Sequence, residues 1–187
     1  MKVVRTELPG VLILEPRVFE DERGFFYESF NVEVFRRHAA EGLPTCFAQD
    51  NHSRSTAGVL RGLHYQLRRP QGKLVTCVHG AIFDVAVDIR VGSPTFGRHA
   101  AVTLSGDAPR YFWIPPGFAH GFCVVSATAD VIYKCTDVYV AEDDHGVLYS
   151  DERIGIPWPV REPITSSKDE RYSRLDPGRA DLPRFDD

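Results

Sequence analysis

Phe83, Val85, Val87 and Ile89 alternate with Asp84, Ala86 and Asp88. This period of two marks an extended strand that sends successive side chains to opposite faces. Similar apolar segments, each bounded by Gly, Pro or polar clusters, recur along the chain. They predict strands over residues 11–14, 25–30, 46–53, 59–66, 74–78, 81–90, 100–104, 110–114, 121–125 and 131–139. Gly80 lies between two of these strands and predicts a hairpin there. A single segment has helical character. Asn31 suits an N-cap, Val32, Val34 and Phe35 supply an apolar side, and Gly42 suits a stop. From Pro157 onward prolines recur at 159, 163, 177 and 183, so the C-terminal stretch reads as an irregular tail wrapping a folded body. Nine or ten short strands with one early helix predict an all-β fold. Its sheet edges must be closed or protected, which a jelly roll or barrel achieves.

With 187 residues the chain is read as one domain, residues 1–187, whose tail over 160–187 wraps the barrel. There is no internal repeat and no low-complexity block. A net charge of -4 argues against general affinity for nucleic acid or membrane surfaces, yet leaves room for a local basic cleft. Cys46, Cys77, Cys123 and Cys135 match no zinc spacing and are read as buried core thiols in a reducing compartment. The N-terminus has no signal-peptide layout, and no apolar run reaches the ~20 residues of a spanning helix. The expected location is the cytoplasm.

Candidate chemistry concentrates in Val59–Gln66 and Gln71–Val75, where Arg61, His64 and Lys73 fall close together. A base beside two fixed cations suits removal of a proton from carbon next to a carbonyl and retention of the resulting anion. Gly62, His64 and Gln66 share one strand face, and Gly62 would leave room beside the imidazole. A histidine base needs a carboxylate to fix its tautomer, and Asp169 is one candidate, remote in sequence. Tyr133, on a strand otherwise apolar at alternate positions, suits delivery of a proton from the opposite side. Core packing with the hydroxyl at the rim is its other reading. Arg23, Arg61, Lys73 and Lys168 are possible anion holders. Gln49, Asn51 and Ser53 form a polar row that suits hydrogen bonding to sugar hydroxyls or a base edge, or the wet face of an edge strand. His64 and His120 alone make a poor metal site, and no dinucleotide or phosphate loop appears. No metal and no cofactor are therefore expected.

Pro115–His120, together with the Gly- and His-bearing strand at 62–64, resembles the two half-motifs of a cupin barrel, the first imperfect. The chain as a whole resembles the dTDP-4-dehydrorhamnose 3,5-epimerase family over roughly residues 2–175. The matching pieces include Phe19–Glu28, Gln49–Ser53, Gly58–Gln66, Gln71–Val75, Asp84–Arg90, Ser93–Gly97, Ile114–Phe122, Tyr133-Lys134, Ile154–Pro159 and Ser167–Asp169. The resemblance implies a cupin-type jelly-roll barrel working as a homodimer. It implies cofactor-free inversion of C3 and C5 of a dTDP-linked 4-keto-6-deoxyhexose through an enolate. By resemblance His64 is the proton acceptor paired with Asp169, Tyr133 is the donor, and Lys73 stabilises the enolate oxygen. Arg61 and His120 would line the sugar pocket. Arg23, Phe26, Glu28, Gln49 and Asn51 match substrate positions, mainly around the deoxythymidine diphosphate, and Lys168 adds a contact near Asp169. Part of the nucleotide site would be supplied across the dimer interface.

Some positions depart from the family pattern. Val138-Tyr139 stands where two tyrosines are common, Asp144 where a ligand-contacting glutamate is common, and Arg98-His99 where Trp is common. The loop between Gln66 and Gln71 is short. A single-position epimerase of a related deoxysugar is the alternative reading. Other classes are a metal-dependent cupin oxygenase and a sugar-nucleotide binding protein without chemistry.

Overall fold

The computed structural model describes residues 1–185. Among the described residues the strands are β1 (Lys2–Arg5), β2 (Leu12–Glu15), β3 (Val18–Asp21), β4 (Gly24–Tyr27), β5 (Gln49–Thr56), β6 (Leu60–Gln66) and β7 (Lys73–His79). There follow β8 (Ala81–Asp88), β9 (His99–Ser105), β10 (Tyr111–Ile114), β11 (Phe118–Val124), β12 (Thr128–Cys135) and β13 (Asp144–Gly146). One sheet runs β1-β2-β10-β7-β12-β5 and the other β13-β6-β11-β8-β9. The strands named in each sheet pair antiparallel, and β3 pairs only with β4. Two antiparallel sheets face to face make the expected all-β jelly roll.

Strand periodicity builds three apolar layers. Between the sheets lie Val75, Cys77, Phe112 and Val131 from one side and Ile82, Ala86, Leu104 and Phe122 from the other. Outside the five-stranded sheet, Leu63, Val85 and Val87 pack under Ile154, Leu175 and Leu182 of the C-terminal stretch. Outside the six-stranded sheet, Leu12, Leu74 and Trp113 pack under Phe35 of α1 (Val32–Arg37). Each fully buried Val, Leu, Ile or Phe side chain among these contributes about 1.5–3 kcal/mol. The alternation in β8 is thus not an apolar face against a wet one. Both faces are buried, and the aspartates point inward.

The helix begins as expected. Asn31 caps it by accepting from the Glu33 backbone N–H at 2.9 Å. It runs only to Arg37. A 3-10 turn over Ala39–Glu41 follows, and Gly42 closes it in the left-handed conformation.

Four expectations are corrected. Gly80 does not turn a hairpin. β7 and β8 belong to different sheets, and Gly80 is the corner between them. Its φ is +71°, and a Cβ there would lie 2.0 Å from the Thr128 carbonyl oxygen, so only glycine fits. Gly62 does not open space beside the imidazole. A Cβ at Gly62 would lie 2.5 Å from the Gly121 Cα, so the residue serves close approach of β6 and β11. Cys46 is exposed because its segment loops before β5 begins, whereas Cys77, Cys123 and Cys135 are buried. The strand predicted over 131–139 also ends early, at Cys135. Beyond it the loop is held by Gln66, which donates to the Val138 carbonyl at 3.2 Å and accepts from the Val140 N–H at 2.7 Å.

Candidate active site

Inward positions that carry apolar side chains at one end of the barrel carry polar ones at the other. Gln49, Asn51 and Ser53 on β5, His64 and Gln66 on β6, Lys73 on β7, His120 on β11 and Tyr133 on β12 all line one cavity of about 590 Å³. That volume lies in the usual range for a small-molecule site. The polar row on β5 therefore faces the cavity and not solvent. Gln49 donates to Asn51 at 2.9 Å, and Asn51 stands beside Tyr133 in the β5–β12 register.

His64 and Asp169 meet across 105 residues of sequence, with Nε2 and Oδ1 2.7 Å apart. The imidazole side chain is 32% exposed and the carboxylate side chain 4%. Asp169 stands at the start of a 3-10 turn (Asp169–Arg171), and its N–H donates to the Ser166 hydroxyl. Burial works against ionisation of Asp169. The hydrogen bond from His64, its charge, and donors from Gly62 and Ser166 outweigh that, and hold the carboxyl below its usual value. With Nε2 committed, Nδ1 of His64 has no hydrogen-bond partner among the described residues. Tyr172 packs its ring against His64 at 5.8 Å, edge to face. Gly146 makes room for that ring, since a Cβ there would lie 2.3 Å from it.

Lys73 is buried, and its ammonium donates to the His64 carbonyl at 3.3 Å. Burial lowers its pKa, opposed by the nearby Cys135, Asp144 and Asp84. Tyr133 is shifted the other way. Burial raises its pKa, Cys135 adds to this, and Arg61 opposes it, so the phenol keeps its proton. Arg61 lines the cavity and donates to the Ser55 hydroxyl at 3.2 Å. Asp144 accepts from the Tyr139 hydroxyl at 2.8 Å and from the Lys168 ammonium, and this chain of three borders the cavity.

His120 faces His64 across the β6–β11 register. Its Nε2 lies 2.6 Å from Asp84 Oδ1, and both side chains are buried. Arg23, Phe26 and Glu28 are not at the cavity. Arg23 and Phe26 sit on the β3–β4 hairpin, where Arg23 pairs with Asp21 and Phe26 is 70% exposed. Glu28 accepts from Asn31 at 2.9 Å. Among the described residues no three His, Cys, Asp or Glu side chains are grouped as metal ligands.

Sequence reasoning missed Asp84, Tyr139 and Tyr172 as parts of this site. Asp84 looked like an ordinary polar position in an alternating strand. Tyr172 carried a usable signal, because it lies one turn beyond Asp169.

The model of the dTDP-4-dehydrorhamnose 3,5-epimerase family matches residues 5–176. A dTDP-4-dehydrorhamnose 3,5-epimerase of Shigella flexneri is 58% identical over 170 residues, covering 90% of this chain and 93% of its own. The crystal structure of a Legionella pneumophila dTDP-6-deoxy-D-glucose-3,5-epimerase in complex with dTDP-4-keto-L-rhamnose is similar with a TM-score of 0.92. It is 49% identical and covers 98% of both chains. The structure of ChmJ, a 3'-monoepimerase from Streptomyces bikiniensis in complex with dTDP-quinovose, has a TM-score of 0.89. It is 34% identical and covers 97% of this chain and 92% of its own.

Proposed function

The chain belongs to the dTDP-4-dehydrorhamnose 3,5-epimerase family, and from that premise we propose that it inverts both C3 and C5 of dTDP-4-keto-6-deoxy-D-glucose, giving dTDP-4-keto-L-rhamnose. C3 and C5 both flank the ketone, so the protons they carry are acidified. His64, oriented by Asp169, takes a proton from carbon, and the bonding electrons move onto the oxo oxygen. The Lys73 ammonium, itself buried, stabilises the enolate oxygen. Tyr133 then returns a proton to carbon from the other face of the ring, and proton exchange with solvent restores neutral His64 and protonated Tyr133 before the second carbon reacts. The observation that carries this reading is that His64 and Tyr133 line one cavity, the first backed by a carboxylate and the second held in its protonated form.

Arg61 and His120 flank the sugar in this reading, and Gln49, Asn51, Asp144 and Lys168 contact the nucleotide diphosphate side. The enzyme acts in the cytoplasm as a closed two-fold homodimer. The β3–β4 hairpin of one protomer lies over the cavity of its partner and brings Arg23, Phe26 and Glu28 to it. The hairpin's isolation from both sheets, and the exposure of Phe19, Phe25 and Phe26, support this. Arg23→Ala then raises KM while kcat holds, and an unchanged KM removes the hairpin from the site.

Turnover in deuterium oxide followed by NMR tests the chemistry. Label at C3 and C5 of the inverted product is expected. The similarity to a 3'-monoepimerase supports one alternative, inversion at a single position. Label and inversion at one carbon alone would replace the first reading with that one.

A further inference from the structure

The chain beyond Tyr172 has no assigned part in the steps above. β13 is the outer strand of its sheet, and the tail wraps its edge, from the cavity side at Asp169 to the outer apolar layer at Leu175. Ahead of Asp169 the tail is pinned by main chain. The Ile164 N–H donates to the Gly58 carbonyl and the Leu60 N–H to the Ile164 carbonyl, both at 2.9 Å. Past Asp169 a single guanidinium gathers several segments. Arg179 donates from Nη1 to the Ser173 and Arg174 carbonyls at 3.2 and 3.3 Å. From Nη2 it donates to the Gly146 carbonyl at 2.9 Å and to the Tyr65 hydroxyl at 3.1 Å. Asp181 accepts from its Nε and Nη2 at 2.9 and 2.6 Å, and also from the Tyr65 hydroxyl at 3.2 Å. The Arg179 side chain is 15% exposed.

The groups that Arg179 grips lie around the base. Gly146 is the β13 residue in register with His64, and Tyr65 follows His64 along β6. Ser173 and Arg174 directly follow Tyr172, whose ring packs on His64 at 5.8 Å. We propose that Arg179 is a positioning residue for the epimerisation: by clasping the tail to β13 and β6 around His64, it holds the Asp169 carboxylate in line with Nε2. The inference rests on the epimerase reading and deepens it. Arg179 acts through Asp169 and keeps all its own protons throughout. Arginine suits this task because its planar donors form a fixed fork, which sets the acceptors relative to one another. A lysine supplies the same charge from one point and cannot fix that geometry. Asp181 balances the guanidinium charge, so the clasp can sit against the outer apolar layer.

Arg179→Met removes the clasp and keeps much of the side chain's bulk. Expected are an unchanged KM and a kcat lowered on the order of 10-fold, within the loss that an ångström of misplacement can cause. Because that loss passes through Asp169, adding Arg179→Met to Asp169→Asn costs less than about 2-fold more. Arg179→Lys keeps the charge without the fork. In the wild type the Asp169 carboxyl is held below its usual value, chiefly by the hydrogen bond from His64 acting against burial. A ¹³C NMR titration of the free Arg179→Lys enzyme should find it moved up toward the ordinary carboxylate value. A merely structural role for Arg179 would lower Tm and leave that titration in place. An unchanged kcat in Arg179→Met, full additivity with Asp169→Asn, or an unmoved Asp169 titration in Arg179→Lys overturns the proposal. The milder lysine variant keeps the test decisive if Arg179→Met fails to fold. The titration needs no substrate. If the wild type fails to epimerise the keto sugar, the epimerase reading falls, and the titration separately reports whether Arg179 places Asp169.

Discussion

His64 and His120 stand opposite each other on neighbouring strands, and each offers Nε2 to a carboxylate at 2.7 and 2.6 Å. Their surroundings differ. The His64 side chain is 32% exposed and its carboxylate arrives from the tail, whereas the His120 side chain is 7% exposed and its carboxylate belongs to the barrel wall. An imidazole that reaches open space can exchange a proton with substrate and solvent, as a general base must. One sealed in the wall is suited to orient and donate. The same pair of residue types thus meets two different environments according to depth.

The sharpest way to break this contrast is His64→Ala. Deuterium wash-in and turnover should both fall by at least about 10²-fold under the proposed mechanism, in which the open imidazole is the base. Retained wash-in would move the base elsewhere. Asp169→Asn should act less severely, lowering kcat on the order of 10-fold or more while the fold persists. It also carries a pH signature. The carboxyl of Asp169 ionises more readily in the folded protein than in the unfolded chain. Its stabilising contribution is therefore complete above the unfolded value near ~3.9 and is lost as pH falls through the folded value. The gap in Tm between wild type and Asp169→Asn should be widest above about pH 4 and close on acidification. A gap constant with pH would show that the carboxylate charge contributes nothing. The smallest effect belongs to a third pair. His52 Nε2 lies 2.9 Å from Asp130 on the outer face of β5 and β12, with the imidazole 58% exposed. His52→Ala should leave kcat and Tm unchanged, and a lost kcat would show that pairing alone, without depth, predicts function.

Much of this was legible in the sequence because its physics is local. A period of two needs no partner to be recognised, so the strands around Phe83 and Val59 were readable, and the Asn31 cap announced the helix. Gly80 was misread because a glycine between strands signals a tight corner, and only the sheet pairing says whether the strands stay together. Asp84 was hidden because alternation shows that two faces differ without showing which one faces solvent. In β8 the C-terminal stretch covers the apolar face, so the polar face turns inward. Arg23, Phe26 and Glu28 were matched to the site by resemblance, yet within one chain they stand on a separate hairpin, a separation that residue matching does not encode.

The β6–β11 seam carries one further consequence. Gly62 and Gly121 face each other so closely that a Cβ on either would meet backbone of the opposite strand within 3.0 Å. These strands also bear the two imidazoles. A single methyl group there would act as a wedge, prising His64 and His120 apart without touching either ring. The spacing of the two imidazoles is thus set by atoms that are missing from the chain.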